Sequence, residues 1–339
     1  MTSLLLRLPL LGLLAVSAQA LDQLDIPTAM QWYTPLRDRP VVRVGAAWGA
    51  EQDADVREQD ATLARQGGFA SVTGRAWRGA DSEIWLRATG VDLRVAGEAQ
   101  LPASGRLPDR LQDLRIGGFW RMVLTDQTII GVDADISSPS DRPFSGSDVL
   151  AGSATVFSRI PTTGRDAWIL VLRYDSTNTL MPGAPLPSVG YQWLRPGLMA
   201  TLGLPFANIV WRPIDDWSLS ANYFPIDAGN ASVAWSPGTK AEAPPGQGGP
   251  WTVSGNLSVS YENWLLAERE NTDERLTFRT VRAFLAGEWS PVPGNRVRLA
   301  VGRILLREIY EADSWGHRDE NRIRIDPSWF TSIGLQLGW

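Results

Sequence analysis

The chain has 339 residues and a formal net charge of −5, with one histidine (His317), no cysteine, and Lys240 as its single lysine. Disulfides, thiolate nucleophiles, Cys-ligated metal clusters and the two-histidine HExxH zinc motif are therefore excluded. The acidic balance speaks against a nucleic-acid binder, whose surface must be basic to neutralise phosphate. Sixteen tryptophans against nine phenylalanines and six tyrosines is the one unusual count.

Met1 to Ala20 predicts a cleaved export signal: one positive charge at Arg7, an apolar stretch over 8–16, and the small-residue pattern Ala18-Gln19-Ala20. The run is too short to span a bilayer as a helix, and Leu21, unlike a cysteine, gives no attachment point for a lipid. Residues 21–40 form a weakly patterned lead-in. The uncharged stretches 176–194 and 196–211 are broken by prolines and glycines, which suits strands joined by turns and excludes a spanning helix.

From residue 41 onward, apolar and polar residues alternate with period two, the spacing that puts them on opposite faces of a strand. Segment 83–95 shifts phase at Thr89-Gly90: Ile84, Leu86 and Ala88 precede it, and Val91, Leu93 and Val95 follow. A β-bulge or a tight turn at the glycine accounts for the shift, and both readings stay open. Leu114, Ile116, Trp120, Met122 and Leu124 oppose Asp113, Arg115 and Arg121. Ile130, Val132, Ala134 and Ile136 oppose Asp133 and Asp135, and Leu170, Leu172 and Tyr174 oppose Arg173 and Asp175. Segment 251–262 alternates most cleanly, with Trp251, Val253, Gly255, Leu257, Val259 and Tyr261 on one face and Thr, Ser, Asn, Ser, Ser and Glu on the other. Segments 275–289 and 295–306 lose phase, and Ile333, Leu335, Leu337 and Trp339 close the chain. Residues 138–148, 237–250 and 311–328 read as loops within one domain.

Alternation suits a soluble β-sandwich, with apolar residues inside, and a membrane barrel, with apolar residues outside. Three features favour the barrel. Trp251 and Tyr261 share a face ten residues apart, roughly 33 Å along the strand and roughly 23 Å when tilted by about 45°, near the ~25 Å of an apolar band edged by aromatics. Tryptophan favours membrane interfaces, where its ring is buried and its N–H finds a partner; Trp217, Trp251, Tyr261 and Trp339 are the expected interface aromatics. The last strand, ending on Trp339, resembles the aromatic-ended terminal strands of outer-membrane barrels, and that resemblance implies recognition by the barrel-assembly machinery. The expected fold is all-β, a closed antiparallel transmembrane barrel over 41–339 of about 12 strands, with 10 or 14 as alternatives.

Three stretches, Pro187-Ser188-Val189-Gly190-Tyr191-Gln192-Trp193, Leu202-Gly203-Leu204-Pro205-Phe206-Ala207 and Trp211-Arg212-Pro213-Ile214-Asp215-Asp216-Trp217-Ser218-Leu219, carry a resemblance within 185–236. The region resembles a family of uncharacterised bacterial outer-membrane β-barrel proteins, known as a domain of unknown function. The resemblance implies an outer-membrane barrel and brings no catalytic residues.

Ser314, His317 and Asp319 or Asn321 share one loop segment, but a triad needs groups converging from different elements. Asp133/Asp135 and Asp215/Asp216 are carboxylate pairs; the first shares a strand face, which suits calcium or acid–base work or, the favoured reading, pairing with luminal arginines, and the second suits a tight turn. Arg43, Arg75, Arg87, Arg94, Arg115, Arg121, Arg173 and Arg298 fall mostly on polar faces. They either select anions or cross-link the inner wall. Arg115, Arg121, Asp133, Asp135, Arg173 and Asp175 are the expected lumen-lining residues. The expected protein is a non-enzymatic outer-membrane barrel, a narrow pore or transporter for small polar solutes, with membrane lipids and the assembly machinery as partners and no cofactor, metal or nucleic acid. An outer-membrane hydrolase using His317 and a soluble periplasmic sandwich acting as a binding module are the alternatives.

Overall fold

Side chains of an extended strand point alternately to its two faces, and sixteen strands of this kind wind antiparallel into one closed wall. The structure is a computed structural model that describes residues 41–339 apart from 103–104, 163, 179–182, 225–227, 244–247, 268–273, 293 and 314–320. The expected signal Met1–Ala20 and lead-in Leu21–Pro40 lie outside the described residues.

In chain order the strands are β1 (Val42–Glu51), β2 (Thr62–Arg78), β3 (Ser82–Gly97), β4 (Arg110–Val123), β5 (Ile129–Ser140), β6 (Ala151–Pro161), β7 (Ala167–Asp175) and β8 (Leu186–Arg195). They continue as β9 (Leu198–Leu204), β10 (Ala207–Ile214), β11 (Trp217–Phe224), β12 (Ala228–Trp235), β13 (Trp251–Trp264), β14 (Arg275–Trp289), β15 (Arg296–Ala312) and β16 (Ser328–Gly338). Each pairs with the next, and β1 closes on β16, with Val44 opposite Leu337 and Trp48 opposite Ile333. Closure leaves no edge, the condition for a sheet to sit in hydrocarbon.

The wall has sixteen strands, not the expected 12, 10 or 14. The extra strands come from segments whose boundaries alternation does not mark. β9 to β12 are only seven or eight residues long, and β8 and β9 are joined by Pro196-Gly197 alone. The mutual register of β14 and β15 slips between Val281 and Arg282, where β15 carries the extra residue Leu305. β14 itself keeps Leu276, Phe278, Thr280, Arg282, Phe284 and Ala286 inward, and its sequence loses phase because the inside turns apolar and the outside polar toward its upper end.

The apolar residues face outward. Ile116 and Ile136 are 72% and 64% exposed, and Val253 and Leu257 about half exposed, which excludes a sandwich core between two sheets. Such an apolar outer band on a closed barrel makes this a transmembrane barrel. Both termini of the described chain meet at one rim, where Val41 N–H donates to the Trp339 carbonyl at 2.7 Å. Turns at that rim are short, apart from 236–250, whereas the opposite rim carries the longer connections 52–61, 98–109, 141–150, 176–185 and 313–327. Of the nine exposed tryptophans among the described residues, Trp329 alone lies toward the long-loop rim.

β3 shows why its sequence seems to change phase. Glu83, Trp85, Arg87, Thr89, Val91, Leu93 and Val95 all face inward, and Ile84, Leu86, Ala88, Gly90, Asp92, Arg94 and Ala96 all face outward. Neither a bulge nor a turn occurs at Gly90, where β3 stays paired in register with both neighbours. The environment inverts instead: below Gly90 the outside is apolar and the inside polar, and above it the reverse. β4 repeats this, with Arg110 and Gln112 outside and Leu111 inside above Leu114 and Ile116.

The upper part therefore has the polarity of a water-soluble domain. Leu63, Leu93, Leu111, Trp264, Phe278, Ile309 and Ile323 belong to one buried apolar cluster there. This tier closes on its own, because the end of β5, still paired with β4, parts from β6 after Ser137 and meets the end of β13. Leu265 N–H donates to the Pro139 carbonyl at 2.7 Å, and Ser140 bridges Leu265 in parallel. The closure includes β2 to β5 and β13 to β15 and leaves β6 to β12 outside it.

Candidate functional site: the two-sided lumen

The inner surface divides into a charged, filled side and a neutral, accessible side. On the first side, charges occur because strands β1 to β7 and β13 to β15 place Arg, Asp and Glu at inward positions. A charge inside a barrel is stable only when paired. Arg121 (1% exposed) donates from Nε to Glu83 (2% exposed) at 2.6 Å. Arg87 spans Asp133 at 3.0 Å and Asp135 at 3.3 Å, and Arg115 meets Asp113 at 3.1 Å. Higher up, Arg65 bonds Glu51 at 3.1 Å and Glu262 at 3.3 Å, and Arg307 also pairs with Glu51. Between these groups Phe284 and Phe330 meet edge to face at 5.7 Å, flanked by Arg298 and Arg282 respectively. Side chains thus occupy this half of the lumen.

All six expected lumen-lining residues point inward. Arg115, Arg121, Asp133 and Asp135 join the pairs just described. Arg173 and Asp175 sit together near the long-loop end of β7 at 3.4 Å. Arg173 also reaches past β8, β9 and β10 to stack on the Phe224 ring of β11, 5.6 Å from its centroid. Arg75 lies over Trp85. Arg94 departs from the expectation: it is outside, beside Asp92, in the upper tier. The arginines therefore cross-link the wall, and both carboxylates of the Asp133/Asp135 pair are engaged by them. Among the described residues no group of three or more His, Cys, Asp or Glu is arranged to hold a metal. Ser314, His317 and Asp319 lie outside the described residues.

The expected interface aromatics fall at strand ends on the outer face. Trp251 stacks on Trp289 at the terminal rim (centroids 5.8 Å), Trp217 pairs in register with Trp235, and Trp339 is exposed at the same rim after β16. Tyr261 stands at the other end of the same face of β13, beneath Arg279.

The second side was missed from the sequence. Inward positions of β8 to β12 carry Ser188, Gln192, Thr201, Asn208, Ser218, Ser220, Asn222, Asn230 and Ser232, and β13 continues with Ser254, Asn256, Ser258 and Ser260. The only inward charge on β8 to β12 is Arg212, at the terminal rim. Most of these small groups are half-buried, not packed over. Ser220 and Ser232 hydroxyls pair at 2.7 Å across β11 and β12. The only signal in the sequence was the recurrence of Ser and Asn at even positions in 218–222, 230–232 and 254–260.

At the terminal rim, 236–243 and 248–250 are tied to the ends of the neutral-side strands. Arg212 donates to the Ala243 carbonyl at 2.7 Å, and Ser236 accepts from Gly249 N–H at 2.9 Å. The Asp215 carboxylate accepts from Lys240 and from Ala241 N–H, each at 2.8 Å. The Lys240 bond, chiefly, holds its titration below the usual carboxylate range.

No protein-family model matches the chain, and no curated protein matches it. Among solved structures, an outer membrane channel from Pseudomonas putida F1 is 10% identical, with 90% of this chain and 97% of that chain covered, at a TM-score of 0.39. The toluene transporter TodX of Pseudomonas putida is 11% identical, with 90% of each chain covered, at 0.35. The translocator domain of the autotransporter NalP from Neisseria meningitidis is 9% identical, with 95% and 96% covered, at 0.28.

Proposed function

We propose that the chain is exported with cleavage after Ala20 and serves in the outer membrane as a non-enzymatic barrel, a narrow passage for small polar solutes. Short turns at the terminal rim and longer connections opposite support an orientation with the terminal rim toward the periplasm. A sixteen-strand wall encloses more space than its own side chains fill unaided. The observation that carries the reading is the half-buried Ser and Asn lining of β11 and β12, which leaves part of the lumen accessible. Lipids surround the apolar belt, and the assembly machinery reads β16 with its terminal Trp339. The resemblance in 185–236, which covers β8 to β12, supports the same reading.

Planar-bilayer recording on the mature chain is the test: discrete openings are expected, and a folded barrel that shows none overturns the passage. Folding is checked first by heat-modifiability on a gel, where a closed barrel migrates anomalously until boiled.

A further inference from the structure

We infer that the solutes are uncharged molecules bearing hydroxyl or amide groups, and that they cross along the inner faces of β8 to β13 rather than the barrel axis. This rests on the reading of the barrel as a passage. Three observations carry it. The inner faces of β1 to β5 and β14 to β16 carry buried ion pairs and the packed Phe284 and Phe330 rings, whereas the β11–β12 lining is half-buried and mostly small. The apolar upper tier closes from β5 to β13, so it covers the charged side and not the neutral one.

The third observation is chemical. The reachable part of this lining, half-buried Ser218, Ser220, Asn222, Ser232, Ser254 and Asn256, presents uncharged hydroxyl and amide groups. A solute hydroxyl, donor and acceptor at once, satisfies such groups. An apolar solute leaves them stranded, which is costly. An ion gives up hydration along a lining whose charges stand only at its ends, Arg212 at the terminal rim and, at the other, the Arg173–Asp175 pair and Glu262 held by Arg65, which is costlier still. At the long-loop end of β7 Arg173 is paired with Asp175 and stacked on Phe224, so it narrows the path without attracting anions strongly.

The chain has no cysteine, so single thiols report one position each. Ser220→Cys and Ser232→Cys barrels, verified as folded by heat-modifiability, are reconstituted in liposomes with the unsubstituted protein. Osmotic swelling is then followed in arabinose and in sodium gluconate. Arabinose is expected to enter faster by at least about tenfold, since stripping water from an uncompensated charge costs far more than from a hydroxyl. A bulky maleimide on either thiol is expected to suppress arabinose entry. Gluconate keeping pace with arabinose, or undiminished arabinose entry through both modified barrels, overturns the neutral path and leaves the passage standing. No uptake of either solute by the folded unsubstituted protein overturns the passage itself, and the neutral path with it.

Discussion

The wall made by β2 to β5 and β13 to β15 and the wall made by β8 to β12 are built to different rules. The first has strands of 12 to 17 residues, crosses the membrane, and continues upward into a tier with an apolar interior. Its inward positions carry large and charged groups that fill space and bind strand to strand. The second has strands of 7 to 10 residues, ends near the membrane, and lines its inside with Ser, Thr and Asn. The contrast teaches that a barrel of this size can assign stability to one arc of its circumference and leave accessible volume along another.

The largest expected effect breaks the filled arc. Arg121→Ala strands Glu83 in the interior and is expected to cost about 3–5 kcal/mol, read as a shift in guanidinium unfolding of the reconstituted barrel. Ser220→Ala on the open arc should stay within about 0.5 kcal/mol; equal losses at the two sites would erase the distinction between the arcs. A second pair tests the inversion along β3. Leu86→Arg, on the lipid side, is expected to cost about 2–4 kcal/mol, whereas Arg94→Leu, above the belt on the same face, should cost about 0.5 kcal/mol or less.

Smaller again is Arg173→Ala, which removes the contact across to Phe224. Single-channel conductance should rise while stability changes by about 1 kcal/mol or less, because the pair with Asp175 is partly solvated. Unchanged conductance would place the narrowest point elsewhere. The mildest effect concerns the rim loop. Because Asp215 titrates below its ordinary 3.8, its bonds to Lys240 and Ala241 are intact above that value and are lost as the pH falls through the lowered one. Hydrogen exchange at Ala241 N–H should accelerate in acid over and above the intrinsic rate, and Lys240→Gln should move that acceleration to higher pH.

Particular residues show how far the sequence could be read. Trp251 and Tyr261 lie at opposite ends of one outer strand face, as their ten-residue spacing predicts, because period and tilt are set by backbone geometry. The assignment of polar faces to the inside follows from the same alternation at Asp133, Asp135 and Arg121. Strand number was not legible, since strands as short as β9 to β12 leave too few alternations between turns to count. The apparent slip at Thr89-Gly90 misled for a different reason: alternation reports polarity relative to surroundings, and the surroundings change from lipid to water along β3. Nor does single-strand pattern reveal the neutral lining, which exists only once register sets Ser220 against Ser232 and Asn222 against Asn230.

The crowding of exposed indoles at the terminal rim gives the molecule a built-in optical polarity. Among the described residues, emission from exposed Trp217, Trp235, Trp251, Trp289 and Trp339 originates near one leaflet, with exposed Trp329 and buried Trp264 the reporters toward the other end. A quencher confined to a single leaflet of a vesicle should therefore darken the protein strongly from one side and weakly from the other. The difference in quenching of these surface indoles then reports which way round each barrel has inserted, without any label.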